Sequence, residues 1–285
     1  MLNFSNARVL VIGDIMLDTY WSGSVERISP EGPVPVVKIT QQKYKIGGAG
    51  NVGLNLNSLK VQSHLIGMIG DDQNGHLVQK ELQKNNISNT IVVADNYPTI
   101  TKLRILGQSQ QLIRIDFEKN YHDINKNQIA KKLENNIKNY DILIISDYAK
   151  GTLSNISEII SIAKKFKKII LVDPKGDNFT KYKGATLIKP NLKEFELIAG
   201  KCNSQEQIIS KAKQLITQLN IEYMLITQGS EGMSLISKNG EINFEKAYSK
   251  EVYDVTGAGD TVIATLAAAL GSGHNIKQAM NFSNI

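Results

Sequence analysis

The run Asp254-Val255-Thr256-Gly257-Ala258-Gly259-Asp260 ends a glycine-rich turn on a carboxylate, and the small-residue stretch TVIATLAAAL follows it. Glycine lets a backbone approach an anion closely. The first turn of a helix adds unpaired N–H groups at the positive end of its dipole. The amides of Gly257, Ala258 and Gly259 are therefore candidates for an anion hole around a phosphoryl group in transfer. Asp260, at the helix start, would face an incoming hydroxyl as its general base. The structural alternative is that Asp260 caps the helix and the glycines make a tight turn. The full run of seven is far more specific than GAGD alone.

A second glycine cluster, Gly47-Gly48-Ala49-Gly50-Asn51, contains G-x-G-x-x-G as Gly48, Gly50 and Gly53, with Asp71 and Asp72 about 20 residues on. A dinucleotide fingerprint needs a buried strand directly before its first glycine. Here the preceding QQKYKI is polar, and the evident first strand, VLVIGD, lies far upstream. There is no G-x-x-x-x-G-K-[ST], no H-E-x-x-H and no Cys/His cluster, so nothing points to a P-loop or a metallohydrolase. Asn191 and Glu194 in Pro190-Asn191-Leu192-Lys193-Glu194 have the spacing of a helix-capping box. The stretch from Thr227 to Gly232, TQGSEG, reads as a turn between two strands.

The elements that must hold these residues recur as short apolar runs followed by helical periodicity. The runs are VLVIGD (9–14), DILIISD (141–147), KIILVD (168–173), ATLIKPN (185–191) and YMLITQG (223–229). Helices are expected at 51–59, 75–85, 126–139, 157–166, 204–219 and 256–270, which predicts a parallel sheet covered on both faces. Several runs end in polar residues, Asp14, Asp147, Asp173, Asn191 and Gln228, and open α/β sheets bind ligands just beyond their strands' carboxyl ends. Residues 19–45 and 91–117 alternate and are rich in β-formers, predicting a small sheet that projects as a lid. A lid beside the strand ends would exclude water, which phosphoryl transfer needs if hydrolysis is to be avoided.

At 285 residues, 41% hydrophobic and 21% charged, the composition is that of a globular domain with a sizeable core. No apolar run approaches the ~20 residues that span a bilayer, and no signal peptide precedes the first strand, so a cytoplasmic protein with no membrane partner is expected. The net charge of +6 is spread along helical stretches, which reads as solvated surface rather than a nucleic-acid footprint. The single cysteine, Cys202, forms no intrachain disulfide and carries no zinc site.

The run 254–260 resembles the second signature of the ribokinase-like, PfkB-type carbohydrate kinases, and the resemblance places the catalytic base at Asp260. It implies a doubly wound, mostly parallel α/β sheet flanked by helices with a projecting β-sheet lid, using ATP and Mg²⁺. The cluster 47–51 matches the family's first signature, where the backbone at Gly47 and Gly48 and the side chain of Asn51 would meet sugar hydroxyls. Asp14 and Asp18 would bind hydroxyls as well. Residues Asn191, Leu192, Lys193 and Glu194 resemble the N-x-x-E motif, which organises the nucleotide phosphates, with Glu194 on Mg²⁺ through water. Thr227, Gly229 and Gly232 match the nucleotide loop. The stretches GDIMLDTYWSGSVERISPEGPVPVVKI, PTITKLRILGQSQQLIRIDFE, SDYAKGTL, VDPKG and IKPNLKEFE look like the kinase half of the heptose-phosphate proteins of lipopolysaccharide assembly. That likeness implies 1-phosphorylation of D-glycero-D-manno-heptose 7-phosphate; the alternatives are another sugar kinase of the same family or a truncated, non-catalytic remnant of the heptose kinase. Lys102 and Arg104, alternating on one lid strand with Arg114 in the next, would receive the 7-phosphate; solvated lid surface is the alternative. The family commonly dimerises, and a lid with unpaired edges is a surface for a second copy. No nucleotidyltransferase motif follows, and the chain stops at Ile285 in what reads as the helix before the kinase domain's last segments, so that part is expected to be missing.

Overall fold

The structure, a computed structural model, describes residues 3–108, 110–121, 127–247 and 257–284. Asp254, Val255 and Thr256 of the glycine motif lie outside them. In chain order the elements begin with β1 (Arg8–Ile28), β2 (Pro35–Gly48), α1 (Ala49–Ser58), β3 (Gln62–Gly70), α2 (Gln73–Lys84) and β4 (Asn89–Ala94). Then come β5 (Thr101–Gly107), β6 (Gln110–Phe117), α3 (Asn127–Asn136), β7 (Ile142–Ser146), α4 (Ile156–Lys165), β8 (Ile169–Asp173) and β9 (Leu187–Ile188). The last are α5 (Leu192–Ala199), α6 (Gln205–Leu219), β10 (Tyr223–Thr227), β11 (Met233–Ser237), β12 (Ile242–Glu245), α7 (Ala258–Gly271) and α8 (Ile276–Ser283).

The main sheet runs β12-β11-β10-β9-β8-β7-β1-β3-β4, parallel from β10 to β4, with β11 and β12 added antiparallel at one edge. Side chains of its strands alternate between two cores. Leu10 and Ile12 of β1 face α3, α4 and α6, whereas Val9 and Val11 face α1, α2, α7 and α8. Strands buried on both faces read as continuous apolar runs, and here they do. α7 is apolar around most of its circumference and is buried from Ile263 to Ala269, as a helix without a polar face must be.

The expected lid is present, but it is not a separate strand set. β1 pairs with β3 and β7 as far as Asp14, then continues out of the sheet from Ile15 to pair with β2 on one side and β5 on the other. β6 completes the lid beside β5, giving the order β2-β1-β5-β6. β4, which the sequence reading placed in the lid segment, pairs parallel with β3 as an edge of the main sheet. β3 itself was not anticipated. It is buried along most of its length, and an acidic N-cap, Asp72, follows it and holds the start of α2 through the Gly75 amide at 2.7 Å.

Gly13 marks where β1 starts to leave the main sheet. A Cβ there would collide with the Ser146 carbonyl of β7, so only glycine admits this approach of the two strands. No described helix is long and apolar enough to cross a membrane. Because β1 carries both sheets, Ile12→Ala, fully buried at the centre of the main sheet, should cost about 2–5 kcal/mol. Urea denaturation checks this, and the loss should appear in the lid and the main sheet as a single transition.

Candidate functional site

Two clefts meet at Asp260. One, of about 450 Å³, lies over the carboxyl ends of β7 to β10, lined by Asp173, Lys175, Lys189, Asn191, Glu194, Thr227, Gly229 and Gly232. The other, of about 390 Å³, lies under the lid, lined by Asp18, Tyr20, Lys45, Gly47, Gly48, Asn51, Lys102, Arg104 and Arg114. Tyr148, Gly257 and Asp260 line both.

Asp260 is 4% exposed. Asn51 Nδ2 donates to its Oδ2 at 2.7 Å and the Tyr148 hydroxyl donates to its Oδ1 at 2.8 Å. A carboxylate has about four acceptor sites, so both oxygens keep capacity for a substrate proton. Burial pushes this carboxyl above the usual carboxylate range; the Asn51 and Tyr148 hydrogen bonds and the Lys189 ammonium pull against that, and Asp18 adds to it. The outcome is a carboxylate more basic than usual, which makes it a better proton acceptor from a sugar hydroxyl. Burial, and then the charge of Asp260, raise the Tyr148 phenol, so that it stays a donor.

The turn before Asp260 has the geometry of an anion site. Gly257 is the N-cap of α7 at φ 82°, the left-handed region that favours glycine, and no side chain caps the helix. Lys189, 2% exposed, stands beneath the turn: a Cβ on Gly259 would lie 3.2 Å from its ammonium. It pairs with Asp173 at 3.0 Å. Burial lifts the Asp173 carboxyl to about 6, with Lys189 pulling it down and Asp260 pushing it up.

On the far side of this cleft the capping box is real. Asn191 Oδ1 accepts from the Glu194 N–H at 2.9 Å, and Glu194 Oε2 accepts from the Asn191 N–H at 3.1 Å. Lys175 Nζ donates to Glu194 Oε1 at 2.8 Å. Both side chains nevertheless line the cleft, so the structural and ligand-facing readings coexist. Thr227 ends β10, and Gly229 (φ 61°) and Gly232 (φ 97°) shape the link to β11. A Cβ on Gly232 would strike the Glu245 carbonyl.

The structure places three of the sequence-predicted residues, Asp14, Leu192 and Lys193, away from both clefts. Asp14 is fully buried and does not line the cleft under the lid: its carboxylate accepts the backbone N–H groups of Tyr148, Lys150 and Thr152 at 2.9–3.1 Å. It fastens the loop that delivers Tyr148 instead of meeting a hydroxyl. Leu192 packs on the core and Lys193 is exposed, and neither lines the cleft over the strand ends. Arg104 faces the lid cavity, but its Nη1 donates to Asp18 Oδ1 at 2.6 Å. Gly47, Gly48, Asn51, Asp18 and Lys102 all reach the lid cavity. The G-x-G-x-x-G glycines do follow a strand, β2, yet it is an exposed antiparallel lid strand, and Asp72 is spent on Gly75 and Thr99.

Sequence reasoning missed Tyr148, Lys189 and Lys45. Tyr148 directly follows the strand-end Asp147, and Lys189 precedes Pro190 at another strand end; their positions were the available signal. Lys45 had none, since its role depends on which strand it faces.

The sequence profile of the pfkB family carbohydrate kinases matches residues 6–285. The chain is 46% identical over 282 residues to "Bifunctional protein HldE" of Haemophilus influenzae (strain PittEE), covering 99% of this chain and 59% of that protein. It is 46% identical over 284 residues to the protein of the same description from Hydrogenovibrio crunogenus, covering 100% and 59%. The chain thus spans about three-fifths of the length of these relatives. Among solved structures, Arabidopsis thaliana ribokinase complexed with ribose and ATP superposes with a TM-score of 0.78 at 19% identity, covering 98% of this chain and 90% of that one. That likeness shows the ribokinase-like fold alone.

Two variants probe the junction. Asp260→Asn should leave folding intact and lower phosphoryl-transfer turnover by ~10²- to 10⁴-fold. Tyr148→Phe removes a hydrogen bond that holds the Asp260 pKa down, so the acid limb of kcat/KM should move to higher pH. A limb that stays put, or moves lower, contradicts the assignment of that limb to Asp260.

Proposed function

The chain belongs to the pfkB family of carbohydrate kinases, and we propose that it transfers the γ-phosphoryl group of ATP to O1 of D-glycero-D-manno-heptose 7-phosphate, giving heptose 1,7-bisphosphate and ADP. The observation that carries this reading is the placement of one basic carboxylate, Asp260, in both clefts, with the lid-side cleft lined by four cations against two carboxylates. Residue likeness to the heptose-phosphate kinases selects the sugar.

In this reading ATP lies along the nucleotide-side cleft with its γ-phosphate at the 257–260 turn. The sugar lies under the lid with O1 toward Asp260. Asp260 accepts the O1 proton as O1 bonds to the γ-phosphorus, and the bond from that phosphorus to the bridging oxygen breaks, its electron pair leaving on ADP. Charge on the transferring oxygens faces the first-turn amides of α7 and the buried Lys189, a fixed electrostatic field. Asp18 Oδ2, which accepts no hydrogen bond among the described residues, is available to a sugar hydroxyl beside Gly47, where a Cβ would collide with it.

Among the described residues no group of three or more His, Cys, Asp or Glu side chains gathers as a metal cage. The donors present still fit Mg²⁺, which keeps several waters and uses one or two carboxylates together with substrate phosphates. Glu194, with Asn191 at its side, would hold it through water. When bound, the ion neutralises charge on the β- and γ-phosphates.

A second copy of the chain is the proposed partner, and the cytoplasm, where ATP is available, the proposed location. β6 pairs only with β5 among the described strands and is exposed along its length. Its Ile113, Ile115 and Phe117 are 51%, 36% and 48% exposed and share the outer face of the lid, which a matching sheet would cover. Analytical ultracentrifugation should show a dimer that Ile113→Lys returns to monomer; a monomeric parent chain overturns this part.

The reaction is tested by ADP release from Mg·ATP with heptose 7-phosphate, fructose 6-phosphate, ribose or no sugar. Heptose 7-phosphate should give the highest kcat/KM. A higher value with either other sugar keeps the chemistry and overturns the substrate.

A further inference from the structure

The inner face of the lid orders its charges by strand register. Residues directly opposite on neighbouring strands share a face, and so do residues two apart on one strand. Lys45 of β2, Asp18 of β1 and Lys102 of β5 therefore form one row, and Tyr20 and Arg104, with Arg114 of β6, form the next. All six line the cavity that ends at Asp260.

These four cations are not equivalent. Arg104 is bound to Asp18 at 2.6 Å, and its guanidinium lies 5.1 Å from the centre of the Tyr20 ring. Arg114 is held in a two-bond fork by Asp116 at 2.9 and 3.0 Å. Lys45 and Lys102 flank Asp18 on the two neighbouring strands, and among the described residues no carboxylate pairs with either. Tyr20 steadies one of them, with the Lys45 ammonium 5.4 Å from its ring centre. Asp116 stands directly across from Lys102 on β6 but is taken by Arg114, so the two ammonium groups face one cavity with no ion pair of their own among the described residues. Their compact charge, with three donors each, suits a phosphate bound at its outer oxygens.

We propose that Lys45 and Lys102 together receive the phosphate that the sugar already carries, while Arg104 acts as a positioning residue that holds Asp18 for a sugar hydroxyl. The sequence reading paired Lys102 with Arg104 for that phosphate. Register brings in Lys45 and withdraws Arg104, whose charge is already matched. This inference rests on the reading of the chain as a kinase of a phosphorylated sugar, and it separates two features of recognition. One pair of cations measures the phosphate, and one ion pair measures the hydroxyls.

The test compares kcat and KM for heptose 7-phosphate and for the same heptose without phosphate in Lys45→Met, Lys102→Met and Arg104→Met, with Lys43→Met on the same strand as control. Each of the first two should raise KM for the phosphorylated sugar roughly 10- to 100-fold, the range for one charge-assisted hydrogen bond, with kcat little changed. Their constants for the unphosphorylated sugar should stay at the parent values. Arg104→Met should impair both sugars, and Lys43→Met neither. Parent-like KM for the phosphorylated sugar in both lysine variants overturns the proposal while leaving the kinase reading intact, and so does equal loss with both sugars. A parent enzyme that does not prefer the phosphorylated sugar overturns both, and it is seen before any variant is made.

Discussion

One strand belongs to two sheets, and the rest of the site depends on that. β1 runs through the centre of the main sheet to Asp14 and then forms the middle of the lid. The switch occurs where Gly13 lets β7 approach and where the Asp14 carboxylate is consumed by three backbone amides of the 148–152 loop. A buried carboxylate is stable only with its hydrogen bonds made, so the loop is fixed relative to the strand, and with it Tyr148. From the same strand, four residues on, Asp18 enters the lid cavity. A continuous backbone thus links the cleft under the lid to the scaffold of the cleft over the strand ends.

The electrostatics of the junction follow from burial. Asp260 and Asp173 are both raised by desolvation, and the charge of Asp260 raises Asp173 further; Lys189, itself almost without exposure, is the counter-charge they share. Removing that lysine would leave two buried carboxylates facing an incoming polyphosphate. Its presence below the 257–260 turn adds a full charge to the partial charges of the helix terminus, in a region too enclosed for water to screen it well. In the proposed reaction these groups are set before substrate arrives, the condition under which electrostatic stabilisation carries least reorganisation.

Local features were legible from sequence and long-range pairings were not. The glycine turn with Asp260, the capping box of Asn191 and Glu194 and the polar strand ends follow from chemistry within a few residues; the structure places the turn, the box, Asp147 and Asp173 at the clefts, whereas Asp14 and Gln228 bond within the protein. Asp14 and Asp18 look alike in sequence, four apart in one strand and on the same face. What separates them is the point at which β1 leaves the sheet, fixed by contacts with β7 and the 148–152 loop. The stretch 19–45 was legible as β-structure, but not that its first part, WSGSVERI, is the direct continuation of the first main-sheet strand. β3, by contrast, was apolar enough, but its short run HLIGMIG contains two glycines and runs directly into the acidic turn DDQNG, which masks its limits. Lys45 and the neutralised state of Arg104 depend on cross-strand register alone, which one sequence does not encode visibly.

The central claim is that Asp260 stands between a sugar hydroxyl under the lid and the γ-phosphate over the strand ends. ³¹P NMR of a single-turnover mixture of the chain with Mg·ATP and heptose 7-phosphate tests it most directly. The account predicts one new phosphate resonance coupled to the anomeric proton, matched by ADP and with no inorganic phosphate. Inorganic phosphate formed irrespective of sugar, or a new phosphate on a carbon other than C1, would contradict it.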